Sequence, residues 1–288
     1  MNKLYFATQC KDKNILSRSS SGGMFYTLSN YIFNNNGIVY GASFTDNFRD
    51  VEIIRVDSID TISKVMTSKY MMSNVKDSFS LVKKDLEDNK LVLYSGLPCQ
   101  IHGLRHFLKK DYDNLICVDI VCHGTLPVNL WKDYLESINA HDIVSINMRD
   151  KRLGWNDYGM SIKYKDGHEF FESHKTNKYM KAFLSDKYLN ASCYSCKFKN
   201  ENAQSDITIG DYWGVNENNF DKKLGINLVV INSEKGLDVF NKLNIDKYAI
   251  NKECACRYNG GMSNNINVKP ENILEDSSVK IIKLQFSH

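Results

Sequence analysis

The chain reads as a mixed α/β (α+β) protein: an N-terminal α/β half with a mixed sheet, then a hairpin-rich half that carries a Cys-x-x-Cys. Three observations point there. Up to about residue 140, short apolar runs alternate with segments whose apolar residues fall at helical spacing, the pattern of strands joined by helices. From Ile143 the runs become short and are linked by turn signals such as Asp166-Gly167, the pattern of hairpins. The strongest run, Leu115 to Val121, is nearly continuous in apolar residues, as a strand covered on both faces would be. The halves are therefore set at residues 1–140 and 141–288, packed as one functional unit because the candidate site draws on both.

In chain order, Leu4 to Thr8 is a short strand and Asp12 to Ser21 a polar loop. Ser19-Ser20-Ser21-Gly22-Gly23 then opens a helix marked by Met24, Phe25, Leu28, Tyr31 and Ile32, closed by Asn34-Asn35-Asn36-Gly37. A serine–glycine loop at a helix start offers N–H groups and hydroxyls to a phosphate. The local sequence favours the plainer reading, a serine N-cap with glycines for tight packing. Ile38–Phe44 and Val51–Val56 are strands, and Asp57–Met66 is a short helix. Thr67 to Ser73 lacks periodicity; its Ser68, Lys69 and Tyr70 suit a nucleotide-like ligand or an exposed loop. Asn74 caps a helix to about Asp88, and Leu91–Tyr94 is a buried strand that breaks at Gly96.

Cys99 follows in Leu97-Pro98-Cys99, where that strand turns into a helix through Ile101, Leu104, Phe107 and Leu108. A helix N-terminus favours a thiolate. The Leu115–Val121 strand ends directly on Cys122-His123-Gly124, so two cysteines stand at strand ends on one rim of a sheet. Pro127 starts the next helix. Ile143–Met148, Gly159–Tyr164 and Glu169–Glu172 are the hairpin strands, and a helix over 177–186 leads to Cys193-Tyr194-Ser195-Cys196. Asp206–Gly210 and Ile226–Ile231 are strands and Leu237–Leu243 a helix; beyond Asn251 the chain is polar and irregular.

Composition narrows the function. A net charge of +3, with no block of like charges, gives no reason to expect nucleic acid. No apolar run approaches a membrane span, and the N-terminus lacks the apolar core of a signal peptide, so a cytoplasmic protein is expected. In that reducing compartment the eight cysteines are metal ligands, catalytic thiols or buried small hydrophobes before they are disulfides.

A Cys-x-x-Cys aims two thiols at one centre, and with Cys99 and Cys122 it completes four ligands for one zinc or one iron–sulfur cluster. Its position after a helix argues against a thioredoxin-like dithiol. Structural zinc usually takes two compact pairs, whereas here the second pair lies more than seventy residues upstream, a spacing that ties separate elements together without excluding zinc. Cys117, within an apolar strand, reads as core and Cys10 has no evident partner. Cys254 and Cys256, one residue apart, read as non-ligating, and His123 can be a ligand or hydrogen-bond a sulfur or cofactor.

Taken together, several segments resemble the coenzyme F420 hydrogenase/dehydrogenase beta subunit family. They are Ser19–Gly23, Val39-Tyr40-Gly41-Ala42, Ser68-Lys69-Tyr70, the run from Gly96 to Leu104, Cys122-His123-Gly124, Arg149-Asp150-Lys151 with Gly154-Trp155, Cys193–Cys196 and Ile209–Gly214. The resemblance implies FAD and a 4Fe–4S cluster. It implies Cys99, Cys122, Cys193 and Cys196 as cluster ligands. Ser19, Ser20, Ser21, Gly22, Gly23, Ser68, Lys69, Tyr70 and the turn with Asp211 and Trp213 would line the flavin site, with His123 tuning the centre. It reverses the local reading of the serine–glycine loop, in favour of phosphate or flavin contact. The family's cysteine-dense ferredoxin-like segment is not matched; only Cys10 stands there. A separate ferredoxin-like electron carrier or partner subunit is therefore expected, with F420 or another small molecule as hydride acceptor. The alternatives are a non-redox zinc protein, or a cluster-bearing docking subunit without turnover.

Overall fold

The computed structural model describes residues 1–199, 202–214 and 220–263. The chain runs β1 (Leu4–Gln9), α1 (Lys13–Arg18), α2 (Met24–Asn34), β2 (Ile38–Phe44), β3 (Val51–Val56), α3 (Ser78–Glu87), β4 (Val92–Gly96), α4 (Pro98–Leu108), β5 (Leu115–Ile120) and α5 (Val128–Ser137). A small antiparallel sheet follows, β6 (Ile143–Asp150), β7 (Gly159–Tyr164) and β8 (Glu169–Ser173), with α6 (Lys178–Leu184) behind it. The rest is β9 (Ile207–Asp211), β10 (Asn227–Ile231), α7 (Glu234–Asn241), β11 (Asp246–Ile250), α8 (Lys252–Arg257) and α9 (Gly260–Ser263).

Eight strands form one mixed sheet in the order β11-β1-β10-β9-β5-β4-β2-β3, to which both sides of position 140 contribute. Its centre, β2-β4-β5-β9, is parallel and its flanks are antiparallel. Period-two alternation explains how both faces are covered. Val39, Leu93, Ile116 and Val118 pack towards α2 and α7. Their sequence neighbours Ile38, Tyr40, Val92, Tyr94, Leu115 and Cys117 pack towards α3 and α4. Each such side chain contributes roughly 1.5–3 kcal/mol by burial. A separate core joins Trp131, Tyr134 and Leu135 of α5 to Met148, Met160 and Ile162 of the small sheet and Tyr179 and Phe183 of α6.

Four local expectations are corrected. The polar stretch after β1 contains α1, because the Asp12 carboxylate accepts from the N–H groups of Asn14 and Ile15. Residues 59–64 form a 3-10 helix. Asn74 does not cap α3, which starts at Ser78; its backbone pairs with β3, donating to Val51 and accepting from Ile53. Beyond Asn251 the chain is helical before it leaves the described residues, since the Asn251 side chain caps α8 at Cys254 N–H. The Asn-rich stretch from residue 264 lies outside them. Among the described residues no helix is long and apolar enough to cross a membrane.

Candidate functional site

In the parallel centre of the sheet, β4, β5 and β9 all end on the same rim, the usual place for ligands in such sheets. Cys99 lies in the first turn of α4, just after β4, and Cys122 just after β5; Gly96 and Asp119 are register partners below them. The Gln100 side chain fixes the first turn. Its Oε1 accepts from Leu97 N–H at 2.9 Å while its Nε2 donates to the Ser73 carbonyl at 2.8 Å.

The Cys-x-x-Cys reaches this rim from another part of the chain. Asn190 clips it to the turn after Cys122: its backbone N–H and side-chain Nδ2 both donate to the Thr125 carbonyl, at 2.8 and 3.0 Å. Gly124, at φ +150°, permits the approach, since a Cβ there would stand 2.5 Å from Leu189 and 3.2 Å from the Cys193 Cβ. Thr125 Oγ1 comes to 3.8 Å of Cys193 Sγ. Phe198, beyond Cys196, packs on His102 of α4 at 4.7 Å between ring centroids.

These contacts bring all four cysteines within electrostatic reach. Burial pushes the Cys122 thiol up to about 12, with further upward pressure from Cys193, Cys99 and Cys196. Burial also raises Cys99, reinforced by Cys196 and Cys193 and opposed by backbone N–H groups at the start of α4. Two buried thiols, Cys99 and Cys122, that resist ionising beside further sulfurs are stabilised as thiolates by a cationic centre. Among the described residues, no three His, Cys, Asp or Glu side chains converge as a ready-made single-ion site.

Beside the cysteines lies a cavity of about 390 Å³. Of the residues expected at a cofactor, Ser19, Ser20, Ser21, Gly23, Ser68, Lys69, Tyr70, His123, Asp211 and Trp213 line it, as does Cys122. Gly22 does not; it backs the loop against the sheet, where a Cβ would lie 2.6 Å from both Asn227 N and Thr8 O. Nor do Cys99, Cys193 and Cys196, although Gly96, Leu97 and Gln100 do.

The serine N-cap reading of the loop is corrected. The N-cap of α2 is Gly23 at φ +80°, and Met24 N–H is satisfied by the Asn227 side chain at 3.0 Å. Ser19 and Ser21 hydroxyls donate to the carbonyls of Ile15 and Ile226, and Ser20 Oγ accepts from Ser68 N–H at 2.8 Å. That last bond ties the loop to the 67–73 segment. Lys69 donates to the Lys64 carbonyl at 3.0 Å, and burial pushes its ammonium down to about 7. His123 meets the Asp186 carboxylate through Nδ1 at 2.6 Å and packs on Phe183.

Several residues in or behind the cavity wall carried no role in the sequence reading. Arg149 is 5% exposed, lies 3.0 Å from Asp211 Oδ2 and donates to Tyr70 Oη at 2.9 Å. Burial works against its charge, and Asp211 and the tyrosines more than restore it. Lys151 donates to the carbonyls of Leu16, Ser21 and Leu224, holding the serine loop from behind. Tyr258, Asn259, Gly260 and Gly261 form a further wall, with the Tyr258 ring over Gly214, where a Cβ would lie 2.1 Å away. The motif Arg149-Asp150-Lys151 was a signal for the first two; the C-terminal wall had none, being brought in by tertiary packing.

Among solved structures, a chain from the xenon-derivatised F420-reducing NiFe hydrogenase complex of Methanosarcina barkeri matches with a TM-score of 0.57 and 16% identity, covering 86% of this chain and 82% of that one. This likeness establishes a shared fold. No curated protein sequence matches the chain. The family model for the C terminus of the coenzyme F420 hydrogenase/dehydrogenase beta subunit matches residues 89–255, more than half of the chain and including Cys99, Cys122, Cys193 and Cys196. The chain therefore belongs to the coenzyme F420 hydrogenase/dehydrogenase beta subunit family, a family of redox-enzyme subunits.

Proposed function

We propose that the protein is an iron–sulfur flavoprotein oxidoreductase in which Cys99, Cys122, Cys193 and Cys196 hold a 4Fe–4S cluster and the adjoining cavity holds FAD. The observation that carries this is the shared turn. Cys122 lies within electrostatic reach of its three partner cysteines and also lines the cavity, so the two proposed centres meet at one residue. A cavity of this size falls in the range of cofactor sites. The donor set fits as well: a cubane takes one thiolate at each of four separate irons, a wider grip than four ligands at about 2.3 Å from one zinc.

When bound, the cluster would exchange single electrons and the flavin would combine them into a hydride equivalent. The chain's own residues supply placement and tuning. Backbone N–H groups at the start of α4 and the Thr125 hydroxyl stand at the sulfurs, where donors favour a more negative cluster. Asp186 orients His123. Ser20, Ser68 and Lys69 form the polar wall suited to the phosphate end. Gly22 and Gly23 let the loop sit where any Cβ would collide. A separate ferredoxin-like carrier or partner subunit would deliver or receive electrons, F420 or another hydride-accepting small molecule would be the second substrate, and the cytoplasm the compartment.

The test is anaerobic purification with iron, sulfide, zinc and flavin analysis and an absorbance spectrum. Iron, sulfide and flavin together, bleached by a reduced carrier, support the proposal. Zinc without flavin overturns it, and a cluster and flavin that no carrier reduces reassigns the chain to docking.

A further inference from the structure

We infer that Arg149, paired with Asp211, reads the carbonyl-bearing edge of a planar heterocycle in the cavity, the pyrimidine edge of a flavin, and not a phosphate. The inference rests on the flavin reading above and gives it a residue.

Arg149 reaches the cavity wall from the end of β6 and is 5% exposed. Its guanidinium carries five N–H donors and keeps its proton in any protein environment. Nη1 donates to Tyr70 Oη. Nη2 stands 3.0 Å from Asp211 Oδ2, yet neither it nor Nε completes a hydrogen bond among the described residues; the contact is ionic and off-line. Buried charged donors left without acceptors carry a full desolvation cost, which an acceptor placed in the cavity would remove.

Charge and shape select that acceptor. Asp211 neutralises Arg149, and Lys151, the next cation along the chain, is committed to three carbonyls of the surrounding loops. A phosphate dianion at Arg149 would face the Asp211 carboxylate at close range, which like charge opposes. A neutral carbonyl edge meets no such opposition. The surroundings are flat and aromatic: Tyr158 covers the guanidinium at 4.0 Å, and Trp213 lies at 5.3 Å, itself stacked on Trp155 at 4.5 Å and 11°. A planar donor fork between ring faces suits an acceptor edge presented in the same plane. That edge gains negative charge when a flavin takes up two electrons and one proton, so the pair would also set its potential, Arg149 raising it and Asp211 damping the effect.

The experiment measures riboflavin and FAD binding by fluorescence quenching, and the potential of bound flavin by anaerobic titration with dithionite, on the full chain and on Arg149→Met and Asp211→Asn. Arg149→Met should weaken both ligands by the same factor, at least about tenfold. Asp211→Asn should raise the potential while Trp155 Nε1 keeps its acceptor. Loss confined to FAD marks a phosphate reader and overturns the inference, as does an unchanged affinity in a folded Arg149→Met. If Arg149→Met fails to fold, an unchanged or lowered potential in Asp211→Asn overturns it alone. A wild-type protein that binds neither flavin removes the flavin reading and this inference together, a result distinct from wild-type binding with indifferent variants.

Discussion

Replacing Gly22 by alanine tests whether the serine–glycine loop is shaped by close backbone approach. The added Cβ would stand 2.6 Å from Asn227 N and from Thr8 O. These two residues are register partners in the β1–β10 pair and both are buried, so neither strand can simply swing aside. Overpacking of this kind costs about 1–3 kcal/mol. Two bonds that depend on the loop would weaken with it, Cys10 N–H to the Gly22 carbonyl at 2.8 Å and Met24 N–H to the Asn227 side chain at 3.0 Å, about 1 kcal/mol each. The sum is about 3–5 kcal/mol, a large share of the roughly 5–15 kcal/mol that holds a domain folded. Urea denaturation should show a lower midpoint at unchanged slope, and flavin affinity should fall with it. A loss under about 1 kcal/mol with unchanged affinity would refute the argument, because the loop would then have room that the geometry denies it.

Two further outcomes follow from the same structure. Gly103 lies inside α4 with only the Phe79 ring near, at 3.5 Å, an ordinary contact. Gly103→Ala should therefore stabilise the chain by about 0.5–1 kcal/mol through helix propensity, read as a rise in Tm; a fall would mean that the Phe79 contact is tighter than it stands. Lys69, pushed by burial down to about 7, is charged below that pH and neutral above it in the free protein. A phosphate-bearing ligand at Lys69 must then recruit a proton above pH 7, so FAD affinity should fall by about tenfold per pH unit there, and Lys69→Met should flatten the profile. A pH-independent affinity in the wild type would remove Lys69 from the phosphate end.

Much of the scaffold was legible because its signals are local. β2, β3 and β7 match their expected bounds from end to end, since alternating or continuous apolar runs between turn residues specify them. The rim position of Cys99 and Cys122 followed from strands ending on them. What stayed hidden depends on partners far along the chain. α1 is set by a single Asp12 cap, and Asn74 pairs with β3 where a cap was expected. Nothing within residues 252–263 announces that they wall a cavity; Tyr258 matters only because Gly214 lies beneath it. Arg149 sat in a recognisable charged motif, but its role emerges only once Asp211, Tyr70 and Tyr158 close around it.

The central claim is that four cysteines from distant segments serve one cluster, and iron content measures it most directly. Anaerobically purified wild-type protein should carry about four irons per chain, as a 4Fe–4S centre requires. Cys196→Ser should lose most of that iron together with the cluster absorbance. Cys117→Ala should keep both, because Cys117 is fully buried in β5 with its side chain among Tyr94, Leu104 and Leu115. Equal retention in the two variants, or equal loss, would contradict the ligand set.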